Sequence, residues 1–137
     1  MNYALLIAQS QAGFDLRNDP VKSPGMWEAW KVYSEALQKA GVIVHGAGLQ
    51  PPQTATTVRV RDGKRQVQDG PYSETKELVA GIIIIDVPNL DAALEWAARC
   101  PVATHGSIEV RPVFPAAATL AESRPLTLGS PQNACPP

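Results

Sequence analysis

Leu78-Val79-Ala80-Gly81-Ile82-Ile83-Ile84-Ile85-Asp86-Val87 is the stretch that decides the fold. Four consecutive β-branched residues favour a strand over a helix. Neighbouring side chains of a strand point to opposite faces, so Ile82 and Ile84 share one face and Ile83 and Ile85 the other. Such a strand is apolar on both sides. Downstream, Asn89 is a helix N-cap candidate. Leu90, Ala93, Leu94, Ala97 and Ala98 recur at helical spacing, with Pro101 as the stop. Residues 107–113 alternate as a last strand, and Pro112 within it predicts an edge position or a strand end.

Upstream, Asp69-Gly70-Pro71-Tyr72 reads as a turn, with a single helical turn over residues 73–76. Thr56 to Arg61 alternates, with Val58 and Val60 on one side and Arg59 and Arg61 on the other. Asp62-Gly63 predicts a hairpin, with Lys64 to Gln68 as its return strand. Val42-Ile43-Val44 opens another strand, which Gly46, Gly48 and Pro51-Pro52 are expected to break into a loop. Ser23-Pro24 reads as an N-cap and first helical residue. Met26, Trp30, Tyr33, Leu37 and Ala40 follow on one helical face, and Gly41 closes the helix as a left-handed cap. Residues 10–22 read as a loop and residues 3–8 as a buried strand.

Two βαβ units around a hairpin predict a ferredoxin-like α+β domain: an antiparallel sheet with two helices on one face. The domain is expected to span residues 1–114, with an irregular Pro- and Ala-rich tail over 115–137. Leu5, Leu6, Ile7 and Val42 to Val44 repeat the two-sided character of the isoleucines. Two helices cover one face only. An aliphatic side chain gains roughly 1.5–3 kcal/mol from burial. The other face therefore calls for a second copy of the chain, the rival cover being its own tail.

The bulk composition narrows the classes. The 137 residues are 45% hydrophobic and 18% charged, with a formal charge of −1, the balance of a globular domain without a field for nucleic acid or an anionic membrane. No apolar run approaches the ~20 residues of a membrane helix. The N-terminus has no basic segment or cleavage site, so the cytoplasm is the expected compartment. Cys100 and Cys135 form no metal motif. No dinucleotide fingerprint, Walker loop or nucleophile elbow appears, so no cofactor or metal is expected.

Several residues could carry chemistry. His45 ends the second strand beside glycines, and an imidazole suits proton transfer near neutral pH. Asp69 is a second proton-transfer group or a cap of its own turn. Tyr72 offers a phenol to a ligand or packs in the core. Arg59 could bind a carboxylate or stand solvated, as could Arg111. Trp27 lies one position off the helical stripe, where it could wall a pocket. His105, in the Ala103-Thr104-His105-Gly106 loop, is a ligand contact or a surface residue. If His45 and Asp69 act as base and acid, with Tyr72 and Arg59 orienting a polar ligand, the pair must reach one cavity.

Four blocks carry a family resemblance. Asp69-Gly70-Pro71-Tyr72-Ser73-Glu74-Thr75-Lys76-Glu77, Leu94 to Pro101, Gly106 to Val113 and Gly46-Ala47-Gly48-Leu49-Gln50-Pro51 occur in the order found in the YCII-related, DGPF-type family, with Tyr72 where Phe is usual. The chain resembles that family from residue 1 to about 114. The resemblance implies a dimeric α/β barrel from a superfamily of isomerases, lyases, dehydrochlorinases and monooxygenases. YCII-type relatives carry a His and an Asp as a proposed acid/base pair in a cleft beside the dimer interface. The implied function is a small-ligand-binding homodimer with a proton-transfer step. The alternative is a non-catalytic accessory protein linked to extracytoplasmic-function sigma factors, near which DGPF-type members are often encoded.

Overall fold

A computed structural model describes residues 1–71 and 75–115. The isoleucine run forms β5 (Leu78–Asp86), antiparallel to β1 (Asn2–Gln9) and to β2 (Ile43–Gly48). β6 (Ser107–Pro112) pairs with the far side of β1, which gives the order β2-β5-β1-β6. The crossovers are α2 (Ser23–Ala40), preceded by a short α1 (Gln11–Asp15), and α3 (Leu90–Arg99). This is the ferredoxin-like α+β arrangement. β3 (Thr56–Arg61) and β4 (Lys64–Asp69) form a separate hairpin inserted between β2 and β5. Its Asp62 and Gly63 both have positive φ, 53° and 72°, as a tight two-residue turn requires.

The alternation along β5 separates two faces. Tyr3, Leu5 and Ile7 of β1 and Ile83 and Ile85 of β5 are buried on the helix side, with Phe14, Tyr33, Leu37, Ala93 and Ala97 packed over them. Ala4, Leu6, Ile82 and Ile84 point the other way and are only half-buried. No described helix covers them. β6 is an edge strand, and Pro112 lies at its end, opposite Tyr3, where a missing N–H is tolerated.

The structure departs from the sequence reading in three places. Residues 11–15 are helical, because Ser10 accepts a hydrogen bond from the Gly13 N–H and Phe14 is buried beneath the turn. A 3₁₀ turn, Leu16–Asn18, follows. Ser23 is not the cap of α2 but lies inside it. Asp19 instead accepts from the N–H groups of Val21 and Lys22, at 2.8 and 3.0 Å, and these bonds hold its carboxyl below the usual range. Finally, β2 does not end at His45. It runs through His45-Gly46-Ala47-Gly48, whose backbone stays in register with β5. Asn89 caps α3 as expected, accepting from the Ala92 N–H at 2.9 Å. Tyr72, the first two residues of the 73–76 turn and the tail beyond residue 115 lie outside the described residues.

Tyr33 anchors the core beneath α2. Its hydroxyl donates to the Trp96 carbonyl at 2.8 Å, and its ring meets Trp30 and Trp96 edge-on. Burial raises the Tyr33 phenol and the Cys100 thiol above their ordinary values. Both groups are neutral when protonated, so their folded pKa values exceed the unfolded ones. The stability they support is complete below the unfolded thiol value of ~8.5 and is lost as pH rises above it. The urea midpoint should therefore hold level to about pH 8 and fall from about pH 9 upward. Tyr33→Phe should begin lower by roughly 1 kcal/mol and fall less steeply. A midpoint unchanged to pH 10.5 would contradict this assignment.

Candidate functional site

Glycine placement on the helix side of the sheet creates a hollow. Gly46 pairs with Ile83, and Gly48 with Gly81, so the missing side chains of these three glycines would all point toward α2. A Cβ added at Gly48 would meet nothing within 4 Å. α2 stands off from β2 across this gap, and a cleft of about 740 Å³ fills it. One wall is the α2 stripe Met26, Trp27, Trp30, Ser34 and Gln38; the opposite wall is Ile43 and residues 46–51. Ile7, Gln9, Ala80 and Ile83 form the floor. A mostly apolar cleft of this size with a few polar groups matches the general form of small-molecule sites.

Two cationic or titratable side chains line the cleft, Arg17 and His105, and no carboxylate does so among the described residues. Arg17 comes from the 3₁₀ turn after α1. Its guanidinium lies 5.0 Å from the Phe14 ring centroid, and its Nη1 donates to the Leu49 carbonyl on the opposite wall at 2.5 Å. Partial burial lowers its pKa, yet a guanidinium remains charged at any ordinary pH. His105 closes the far end after the 3₁₀ turn Pro101–Thr104. Gly106 allows this approach, since a Cβ there would sit 2.3 Å from the Ala8 carbonyl oxygen. Gln9 is the polar member of the floor, buried to 4% exposure. Its amide has no hydrogen-bond partner among the described residues, and its Oε1 lies beside Gly13, where an added Cβ would come within 2.9 Å of it.

The residues singled out from the sequence are dispersed. Trp27 and His105 line the cleft. His45 is exposed, on the open face of the sheet in register with Ile84. Asp69 is exposed at the end of β4, opposite Thr56. Arg59 lies on the hairpin with Nη1 3.4 Å from Gln68 Oε1. Neither His45 nor Asp69 lines this cleft or the shallower one beside the hairpin. Arg111, on the open face at the β6 edge, faces Glu109 at 3.9 Å. Gln9 and Arg17 were missed. Gln9 was detectable in principle, because it continues the buried parity of Tyr3, Leu5 and Ile7. Arg17 carries no periodic signal. No three His, Cys, Asp or Glu side chains gather into a metal-binding group among the described residues. No described helix is long and apolar enough to cross a membrane.

Fold and cleft together define a ferredoxin-like α+β protein with a preformed apolar pocket between its sheet and first long helix. The sequence matches the YCII-related domain over residues 1–117, and the chain belongs to that family. An uncharacterised protein of Rhizobium meliloti (strain 1021) is 42% identical over 77 residues, 55% of this chain; the match spans 62% of that relative's length. Among solved structures, 5-chloro-2-hydroxyhydroquinone dehydrochlorinase from Burkholderia phenoliruptrix AC1100, in complex with 2,5-dihydroxybenzoquinone, is similar at a TM-score of 0.48 and 14% identity. That similarity covers 82% of this chain and 93% of the dehydrochlorinase.

A buried amide without a protein partner weakens the fold. Gln9→Leu should raise stability by up to about 1 kcal/mol in urea unfolding. A loss of more than that amount would mean that the Gln9 amide is bonded within the protein.

Proposed function

We propose that this chain binds a small, mainly apolar molecule in the cleft between α2 and the β2–β5 edge, and that it works as a cytoplasmic homodimer built across the open sheet face. The observation that carries the ligand reading is the row of glycines. Gly46, Gly48 and Gly81 keep side chains out of a space that larger residues at two of these positions could enter without a clash, at Gly46 and Gly48. Empty apolar volume weakens a fold, so a hollow maintained in this way favours an occupant. Any proton transfer on that occupant falls to His105, the imidazole that lines the cleft. His45 and Asp69 retain the acid/base role only if a second copy brings them to one ligand.

The dimer reading rests on Leu6, Ile82 and Ile84, flanked by Ala4 and Ala47, which leave an aliphatic patch beside the charged β6 edge. The accessory-protein reading has its own support. Val58, Val60 and Val67 share one face of the hairpin and are each more than half exposed. A regulatory partner, including a sigma-factor system, would find an apolar contact there.

Gly48→Val provides the direct test of the cleft. It suits a strand and fills the hollow, so the fold should persist while binding in a small-molecule thermal-shift screen disappears. Hits that survive unchanged in Gly48→Val would place the ligand elsewhere. For the dimer, sedimentation at micromolar concentration should show two copies, and Ile84→Lys should give a folded monomer. A wild-type monomer at that concentration would refute the assembly.

A further inference from the structure

Resting on the cleft reading, we infer that the ligand class is an apolar monocarboxylic acid, its carboxylate held by Arg17 and Gln9 and its body lying along Trp27 and Trp30. Arg17 is half-buried at the end of an apolar cleft, and no carboxylate lines that cleft among the described residues. No ion pair to Arg17 is formed among those residues either. A partly desolvated guanidinium gains from an anion, and its planar fork matches a carboxylate. The Leu49 carbonyl accepts from one of its nitrogens, which braces the side chain across the gap. That bond leaves further donors of the fork for a ligand.

Gln9 supplies the independent observation. Its side chain is more than nine-tenths buried, its amide is unpartnered among the described residues, and the residue lines the cleft floor. A side-chain amide has an N–H donor for a carboxylate oxygen and a carbonyl for a neighbouring hydroxyl. A dianion such as a phosphate monoester fits less well. One guanidinium would neutralise only part of its charge in a site walled by Met26, Trp27, Trp30 and Leu49. Flat aromatic walls favour a ring system as the apolar body.

The test compares two probes of one shape, 2-naphthoate and the neutral 2-naphthalenemethanol, by isothermal titration on the full chain. The acid should bind about tenfold more tightly or better, the scale of a charge-assisted contact in a partly dry site. Arg17→Met should bring the two probes to equal affinity while leaving the alcohol unchanged. Arg17→Lys, which keeps the charge and loses the fork, should retain part of the preference and guards against a misfolded Met variant. Gln9→Leu should weaken the acid more than the alcohol. Equal binding of both probes to the wild type would overturn the acid assignment and leave the cleft reading intact. A preference that persists in Arg17→Met would remove Arg17 from the site. Binding of neither probe would overturn the cleft reading, and the acid assignment with it.

Discussion

The antiparallel contact between β1 and β5 organises the molecule. Leu5 meets Ile83 and Tyr3 meets Ile85 on one side, while Ala4 meets Ile84 and Leu6 meets Ile82 on the other. Because pairing fixes which face each side chain takes, a slip of one residue would exchange the two sets. The helix-side set is closed by α2 and α3 and forms the core. The other set remains half-buried on a face with no described helix above it. The two faces thus differ: one is packed by the chain's own helices, and the other keeps its aliphatic side chains half-buried.

Packing on the helix side is deliberately incomplete at one end. Near β1 and β6 the sheet carries Leu5, Ile7 and Val110 against α3 and the lower part of α2. Beyond Ile43 the corresponding positions of β2 are Gly46 and Gly48, and α2 presents Trp27, Trp30 and Ser34 across a gap. The same sheet therefore provides a solid core and an open cleft, and the glycines mark where one gives way to the other. Arg17 and His105 reach the cleft from connections outside the sheet, where a side chain can be changed with little consequence for the fold.

Much of this was legible in the sequence. The two-sided character of Ile82 to Ile85, the helix from Met26 to Ala40, the Asp62-Gly63 turn and the Asn89 cap all follow from local chemistry, and the element order then fixes the sheet. The reading failed where local and tertiary preferences conflict. Gly46 and Gly48 argue for a loop when taken alone, but pairing with β5 holds them in a strand. That error moved His45 to a strand end, whereas it lies within β2 on the open face. The α1 turn was hidden because five residues give too little periodicity. Trp27 and His105 were identifiable as chemistry-bearing residues, but their meeting at one cleft depends on α2 standing away from β2. No spacing encodes that separation. Arg17 was invisible for the same reason, since its role exists only through the wall opposite it.

The central claim is that a small molecule enters between α2 and the glycine-lined edge of the sheet. The chain's two methionines provide a clean reporter, because Met26 lines the cleft and Met1 lies away from it at the start of β1. With methyl-¹³C methionine in the full chain, titration with 2-naphthoate should shift the Met26 methyl resonance progressively and leave Met1 in place. A stationary Met26, or equal movement of both methyls, would contradict the account.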